Sequence, residues 1–167
     1  LGNDQIGVYG IYTDITERKD NEKALRNSEE RYKAFVQQSS EGILRFEFLE
    51  PIPVKLSAEQ QVKHAFKYGF LAECNDIVAR VYGYSSSDEI VGMRMSDFLP
   101  QADTRNVEYM QKFIESGYRL TDAETDFTGK DGSKKFLLNN LVGIIEDERV
   151  IRAWGIQRDV TQSRLAD

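Results

Sequence analysis

Cysteine and histidine are nearly absent from this sequence, whose 167 residues include one of each, Cys74 and His64. A single cysteine excludes a disulfide within the chain. Neither CxxC nor a Cys/His cluster with metal-ligand spacing is present, so the sequence predicts no metal site. A reducing, cytoplasmic environment fits this composition best. We therefore expect a function that needs neither a disulfide nor a bound metal ion.

Long apolar stretches and basic clusters are missing as well. No window approaches the roughly 18 apolar residues of a membrane-spanning helix. Lys and Arg occur in runs of at most two, and the net charge is −6, from 22 Lys and Arg against 28 Asp and Glu. This balance predicts neither nucleic acid nor an anionic membrane surface as a direct partner. The length fits one domain with its own core, and we expect a soluble fragment of a larger protein.

The two ends of the chain resemble each other. Residues 6–16 (IGVYGIYTDIT) match residues 151–161 (IRAWGIQRDVT) at a constant offset of 145. That spacing is a domain period, too long for a solenoid repeat. It predicts that residues 1–16 are the closing strand of a preceding domain, similar to the one that follows. The alternative is a chance likeness between two short apolar stretches.

A charged helix is predicted over residues 17–38. Thr16 can cap its first turn, and acidic and basic side chains four residues apart support it. Leu25, Tyr32 and Phe35 lie near heptad spacing and form a short seam on which a second helix can pack. Two heptads make a weak coiled coil, so an amphipathic connector without a helical partner is an equally weighted alternative.

The remaining chain alternates between short strands and small helices. Two short strands are predicted over residues 41–49 and 70–74, with Pro51 and Pro53 ending the first. Ser57 and Gln60 form a capping box that starts a short helix between these strands, and Asn75 caps the first of several helices after the second strand. The last of these helices ends at Gly117, and residues 119–128, 136–145 and 150–158 then form a three-strand antiparallel meander. These elements predict one α+β domain.

The order of elements and five local motifs resemble the PAS domain, a sensory module of bacterial signalling proteins. The motifs are SEERYKAFVQQSSEGIL at 28–44, NDIVARVYGYS at 75–85, EIVG at 89–92, KDGS at 130–133 and RDVT at 158–161.

The resemblance implies a five-stranded antiparallel sheet with small helices on one face and an N-terminal linker helix. It predicts a closing strand of a preceding PAS domain at 1–16, a linker helix at 17–38, the PAS domain at 39–162 and the start of the next linker at 163–167. One departure is an inserted segment, 50–69, where the family usually has a tight hairpin.

The family pattern also implies a pocket between the sheet and the small helices. Strand alternation then predicts a mostly apolar lining with an amide at either end, which suits a small, mostly apolar ligand with one polar group. The predicted lining residues are Met110, Ile114, Thr125, Phe127, Leu138, Asn140 and Gln157, with Gly155 beside Gln157. A collapsed pocket filled by its own side chains is the alternative.

Neither flavin nor haem is predicted. In the light-sensing LOV branch of the family a cysteine adds to flavin, and the matching position here is Ser96. The flavin-holding asparagines of that branch fall at Phe127 and Leu138, and only Gln157 matches a polar contact. Haem-binding members carry a histidine on the long helix before the meander, where this sequence has none, since His64 lies in the insertion.

We expect no catalysis by this fragment, because no phosphate-binding, metalloprotease or kinase motif is present. Glu124 and Asp126 share a strand face near a turn, which favours a solvated role. The resemblance implies an effector domain in cis, such as a histidine kinase, a diguanylate cyclase or a transcriptional regulator. Asp159 and Thr161 mark the junction through which a signal leaves the domain.

A second hypothesis is a function in protein association that needs no ligand. The module can be a dimerising relay, a homodimer held through the linker helix residues Leu25, Tyr32 and Phe35 and through the outer sheet face at Trp154 and Ile156. A filled core and concentration-dependent association distinguish this relay from a ligand sensor.

Overall fold

The computed structural model describes the backbone of residues 2–166 and the side chains of residues 11–166. The chain divides between Gln38 and Ser39 into two compact units. The first unit is a single helix, α1 (Gly2–Gln38). Its predicted seam residues Leu25 and Phe35 are 61% and 67% exposed.

Residues 2–16 are helical, which differs from the strand that the sequence predicts over 1–16. The Thr16 hydroxyl donates a hydrogen bond to the Tyr12 carbonyl at 3.0 Å, one turn back inside the helix, so Thr16 does not cap a helix beginning at Glu17. A closing strand needs neighbouring strands to pair its backbone groups, and those of a preceding domain would lie outside this chain. The assignment of residues 1–16 to such a domain stays a prediction.

The second unit is built on one five-stranded antiparallel sheet with the strand order β2-β1-β5-β4-β3. This confirms the predicted fold class and the three-strand meander. The strands are β1 (Gly42–Pro53), β2 (Gly69–Cys74), β3 (Arg119–Thr128), β4 (Lys134–Glu146) and β5 (Arg149–Asp159).

Short helices connect β2 to β3 and pack on the sheet around a shared hydrophobic core. One more helix lies between β1 and β2, and another follows β5, where the sequence predicts the next linker to begin. The helices are α2 (Ala58–Tyr68), α3 (Asp76–Val81), a 3₁₀ turn (Ser87–Glu89), α4 (Met95–Phe98), α5 (Thr104–Glu115) and α6 (Thr161–Ala166).

Asn75 anchors α3 to the sheet. Its side chain is buried, and the Oδ1 atom accepts hydrogen bonds from the backbone N–H of Val78, which caps α3, and of Ile43 on β1. Its Nδ2 donates to the Glu41 carbonyl at 2.9 Å. The predicted helix cap is therefore confirmed, and the same amide also fixes the distance between α3 and β1.

The inserted segment 50–69 belongs to the core. β1 continues to Pro53 rather than ending before the prolines, because its last residues pair only with β5 and no ladder hydrogen bond to β2 is needed there. The Ser57–Gln60 capping box then starts α2 as predicted, and α2 packs against β1, α4 and α5. The insertion therefore covers part of the sheet.

Gln61 joins this insertion to the rest of the domain. The side chain is 3% exposed; its Nε2 donates to the carbonyls of Val54 and Leu56, and its Oε1 accepts from the Tyr118 hydroxyl at 2.7 Å. All three bonds connect α2 to segments on either side of it. A buried amide with satisfied groups contributes to stability mainly because its loss would leave its partners unpaired.

We expect the Gln61→Met variant to unfold with a free energy lower by about 1–3 kcal/mol, because a thioether of similar size leaves buried carbonyls and a hydroxyl without partners. Urea unfolding followed by circular dichroism measures this. The matched control is Gln111→Met on the exposed face of α5, where the loss of one i,i+4 hydrogen bond to Glu115 should cost about 0.5 kcal/mol or less. Equal costs for the two variants would contradict the bridging role of Gln61.

Candidate ligand-binding site

An internal cavity lies between the sheet and the helices that pack on it. The volume of this inner cavity is about 70 Å³. Leu44, Phe46 and Leu141 provide apolar walls from the sheet, and Tyr109 and Met110 close it from α5. The inner cavity is therefore largely apolar, with polar groups concentrated at a few positions.

Five predicted positions line the inner cavity, namely Met110, Thr125, Phe127, Asn140 and Gln157. Gly155 lines it too, and a Cβ atom there would lie 2.9 Å from Leu44 Cδ1, so a larger residue would have to displace the Leu44 side chain. Two predicted positions are not among the lining residues, Ile114 and Leu138.

Leu138 lies on the opposite face of β4. The residues of β4 that are buried and line the cavity are Leu137, Asn139 and Leu141, one position out of phase with the prediction. Cross-strand pairing fixes this phase, because Leu137 pairs with Thr125 and Asn139 with Gln157, and paired residues share a face. The run from Phe136 to Ile145 is apolar on both faces, so its alternation alone does not reveal which face is inside.

Asn140 takes a different role from the predicted one. Its Oδ1 accepts a hydrogen bond from the backbone N–H of Asp122 at 3.1 Å, where a bulge interrupts the pairing of β3 with β4. Asp122 has a φ of 49°. The Asn140 amide therefore satisfies the irregular backbone of β3, while Asn139 supplies the amide inside the cavity.

Ile114 belongs to the hydrophobic core one turn beyond Met110 on α5. Helix α2 of the insertion packs against α5, the helix that carries Ile114. No residue of segment 50–69 is among those that line the inner cavity.

Two hydrogen-bonded pairs, each of an amide and a hydroxyl, lie among the polar groups that line the inner cavity. Gln157 Nε2 donates to the Tyr82 hydroxyl at 3.1 Å, and Asn139 Nδ2 donates to Thr125 Oγ1 at 2.7 Å. Gln157 Oε1 is buried and has no hydrogen-bond partner among the described residues. A buried acceptor without a donor is costly, so this oxygen is the position in the cavity that most favours a donor group on a ligand.

Tyr82 was missed by the sequence analysis. It follows α3, and its ring lies 4.3 Å from the Phe98 ring and 5.0 Å from the Phe127 ring between centroids. Burial raises the pKa of the Tyr82 hydroxyl to about 12, although the hydrogen bond from Gln157 lowers it slightly. Tyr82 is therefore neutral over the physiological range.

A second, outer cavity of about 350 Å³ adjoins the inner one. It lies between the segment that follows α3, the start of α5 and the β3–β4 turn, and Tyr84, Met93 and Lys130 contribute to its walls. Tyr82, Phe98, Leu99, Arg105, Asn106 and Phe127 line both cavities. These shared residues form the boundary between the two spaces.

The charged side chains at this boundary form ion pairs with one another. Arg105 contacts Asp103 at 2.8 Å and Asp126 at 3.0 Å, and Asp126 also contacts Lys134 at 3.3 Å. Hydrogen bonding to Arg105 lowers the pKa of the Asp103 carboxyl. Because these charges compensate one another, the boundary favours no single sign of ligand charge.

The single cysteine and histidine lie away from both cavities. Cys74 is buried at the end of β2, and burial raises its pKa to about 12, as expected of a small apolar core residue. His64 Nε2 lies 2.8 Å from the Glu50 carbonyl within the insertion. Ser96, the position of the reactive LOV cysteine, is on α4 and is not among the lining residues of either cavity.

Two further observations concern metals and membranes. Among the described residues, no group of three or more His, Cys, Asp or Glu side chains is arranged to hold a metal ion. Within residues 2–166, none of the helices combines the length and the apolar character needed to cross a membrane.

The raised pKa of Tyr82 predicts a change of stability in alkaline solution. In the unfolded chain tyrosine ionises near its ordinary pKa of 10, whereas folded Tyr82 ionises near 12. Its contribution is therefore fully present below pH 10 and is lost as the pH rises towards 12. Unfolding free energies measured from pH 9 to 12 should fall more steeply for the wild type than for Tyr82→Phe, and parallel curves would contradict the buried, neutral hydroxyl.

Comparison with known proteins identifies the fold. Residues 66–162, more than half of the chain, match the family model of the PAS domain, while no curated protein matches the sequence. The PAS domain of a Colwellia psychrerythraea protein has 22% identity and a TM-score of 0.54, over 80% of this chain and 97% of that one.

Two other solved structures cover a similar share of this chain. The Rhodobacter sphaeroides LOV protein has 14% identity and a TM-score of 0.55, over 84% of this chain and 71% of its own. The PAS domain of the fruit-fly ELK potassium channel has 18% identity and a TM-score of 0.50, over 80% and 96%. PAS domains are sensory and signalling modules, and with its matching sequence and five-stranded sheet this chain belongs to the PAS domain family.

Proposed function

We propose that this domain is a non-catalytic sensor that binds a small, uncharged organic molecule in the inner cavity and relays its presence to an effector domain in the same protein. The observation that carries the proposal is the buried Oε1 of Gln157, which has no partner among the described residues and belongs to a side chain that lines the cavity. A ligand that donates a hydrogen bond to this oxygen removes the cost of burying it unpaired.

The size and charge of the inner cavity restrict the ligand. Its 70 Å³ is well below the roughly 300–1,000 Å³ of pockets for drug-sized molecules. The charged residues that line it, Arg105 and Asp126, are paired with each other at 3.0 Å. A small molecule with an apolar body and one N–H or O–H donor matches this environment best.

Flavin and haem do not match the lining residues. Ser96 has a hydroxyl in place of the thiol that adds to flavin, and Phe127 presents a ring where the resemblance requires an amide. Asn139 and Gln157 do provide amides, but a 70 Å³ space does not hold a flavin ring system. Helix α5 carries no histidine for haem iron. We propose that the domain binds neither group.

The two acidic residues considered for catalysis are both ion-paired. Glu124 accepts from Arg164 at 2.7 Å, and Asp126 contacts both Arg105 and Lys134. Carboxylates held by cations on an exposed strand favour a structural role, and this supports the proposal that the domain catalyses no reaction.

A path for the signal follows from the sheet register. Thr125 and Leu137 line the cavity and pair with each other, and Leu137 pairs on its other side with Asp159. Asp159 accepts a hydrogen bond from the backbone N–H of Thr161 at 2.9 Å, and the Thr161 hydroxyl accepts one from the Phe136 N–H at 3.0 Å. One row of paired residues therefore connects the cavity wall with the start of α6.

A second candidate function is dimerisation without a ligand. Leu25 and Phe35 on α1 and Ile156 on the outer face of β5 are 61%, 67% and 44% exposed, which is high for large apolar side chains. Such residues favour association with a second copy of the chain. In this case the domain should associate with increasing concentration, whatever its cavity contains.

Mass spectrometry of the purified domain tests the sensor function. A ligand should add mass under native conditions and be absent under denaturing conditions, without visible absorption. The matched variants are neighbours on β4: Leu137→Phe fills the cavity and should reduce ligand occupancy at least tenfold, whereas Leu138→Phe faces away and should keep it. The absence of an added mass in a folded, associating wild type would refute the sensor and favour dimerisation.

The Asp159→Ala variant tests the junction. Loss of the hydrogen bond to Thr161 should weaken the start of α6 by about 1 kcal/mol, so amide hydrogen exchange in residues 161–166 should accelerate about fivefold while the sheet keeps its protection. The matched control is Asp131→Ala, because Asp131 accepts the same kind of bond from the backbone N–H of Ser133 in the turn between β3 and β4, outside α6.

The control should leave exchange in α6 unchanged. In the full-length protein, Asp159→Ala should also uncouple the effector from the stimulus while ligand occupancy stays the same. A normal response of the effector, or global unfolding as the sole defect, would contradict a signalling role for Asp159.

A further inference from the structure

The position of Tyr82 between the two cavities has a consequence for which ligands can bind. Its ring lines both the inner and the outer cavity, in contact with the rings of Phe98 and Phe127. Phe98 and Phe127 also line both spaces. The boundary between the cavities is therefore a layer of three aromatic side chains, with Tyr82 at its centre.

The three rings are not held equally. Phe98 is 8% exposed and belongs to the hydrophobic core, whereas Tyr82 is only packed against that core and lies just after the end of α3. The next residue, Gly83, has a φ of 87°, in the region that favours glycine. The Tyr82 hydroxyl accepts a hydrogen bond from Gln157 Nε2. Displacing Tyr82 therefore disturbs less of the core than displacing Phe98 does.

Displacement of the Tyr82 ring also increases the volume that is available to a ligand. The inner space of 70 Å³ is below the roughly 150 Å³ of an engineered cavity that binds benzene. The outer cavity adds about 350 Å³, and a combined space falls within the usual range of ligand pockets. With the ring in place the domain admits molecules of a few non-hydrogen atoms, and with the ring removed it admits an aromatic bicycle.

We propose that Tyr82 is the specificity-determining residue of this site: its ring separates the inner from the outer cavity, and a planar, uncharged molecule with one N–H donor binds across both when the ring is absent, with that donor on Gln157 Oε1. The proposal rests on the sensor function for its biological meaning, but the physical claim about Tyr82 can be tested independently of any native ligand.

The test uses indole and indene, two bicycles of nearly the same shape, of which only indole carries an N–H. Isothermal titration calorimetry measures both against the wild type, Tyr82→Ala and Tyr82→Phe. Tyr82→Ala should bind indole at least tenfold more tightly than the wild type. Tyr82→Phe should behave like the wild type, because it keeps the ring and loses only the hydroxyl.

The donor is tested in the widened site. Tyr82→Ala should prefer indole over indene about fivefold or more, and adding Gln157→Leu should remove that preference by weakening indole alone. If Tyr82→Ala does not fold, as judged by circular dichroism, Tyr82→Leu takes its place with the same expectations. Equal binding of indole by the wild type and the widened variant, or the same gain with Tyr82→Phe, would overturn the role of the ring. An indole preference that survives Gln157→Leu would overturn the assigned acceptor.

The test of Tyr82 and the test of the sensor function can fail independently of each other. If the wild type retains no ligand in native mass spectrometry but Tyr82→Ala gains indole, the ring separates the cavities and the sensor function fails. If the wild type retains a ligand and Tyr82→Ala changes nothing, the sensor function stands and the role of Tyr82 fails.

Discussion

The register of β4 between β3 and β5 is the constraint on which the site depends. The central residues of β4 pair with residues on both sides, so one strand decides which side chains of three strands share the inner face. These residues are Leu137, Leu138, Asn139, Leu141 and Val142. Its phase places Leu137 and Asn139 beside Thr125 and Gln157 in the cavity. The same register pairs Leu137 with Asp159. The cavity wall and the end of β5, where the chain leaves the sheet, therefore lie in one row of paired residues. A shift by one residue would exchange the faces and remove both features.

Polar anchors hold the helices at fixed distances from this sheet. Asn75 fastens α3 to β1, and Gln61 fastens α2 to the segment before it and to Tyr118 after α5. Both amides are buried and bonded at their donor and acceptor atoms, which makes them specific as well as stabilising. The space near Tyr82 and Gln157 is a cavity with walls from the sheet and from the helices.

Similar folds accommodate different chemistry in the PAS family. The solved structures that resemble this one include a LOV protein and the PAS domain of a potassium channel, at identities of 14% and 18%. Likeness at this level shows the fold, and function depends on which side chains face the cavity. Here the cavity presents an unpaired amide oxygen behind a ring of aromatic residues, and its charged boundary is neutralised by ion pairs. That combination supports the proposal that the domain senses a small neutral molecule.

Local patterns in the sequence were sufficient for much of the fold. Capping residues such as Ser57 and Asn75, the glycine after α5 and the apolar strands of the meander each act through neighbours in the chain, and their predictions are confirmed. Five of the seven predicted ligand-binding positions also line the inner cavity, namely Met110, Thr125, Phe127, Asn140 and Gln157.

What only the tertiary structure decided depends on partners distant in sequence. The phase of β4 follows from cross-strand pairing, because its apolar run fits either face, and so Asn139 rather than Leu138 lines the cavity. Ile114 is part of the hydrophobic core and does not line the cavity, and α2 of the insertion packs on the same helix α5, an arrangement that no local pattern shows. Residues 2–16 form a helix where the sequence predicts a strand, since a strand needs a sheet to pair with. The contact of Tyr82 with Gln157 joins residues 75 positions apart, and long-range contacts of this kind arise only once the sheet and the helices have packed together.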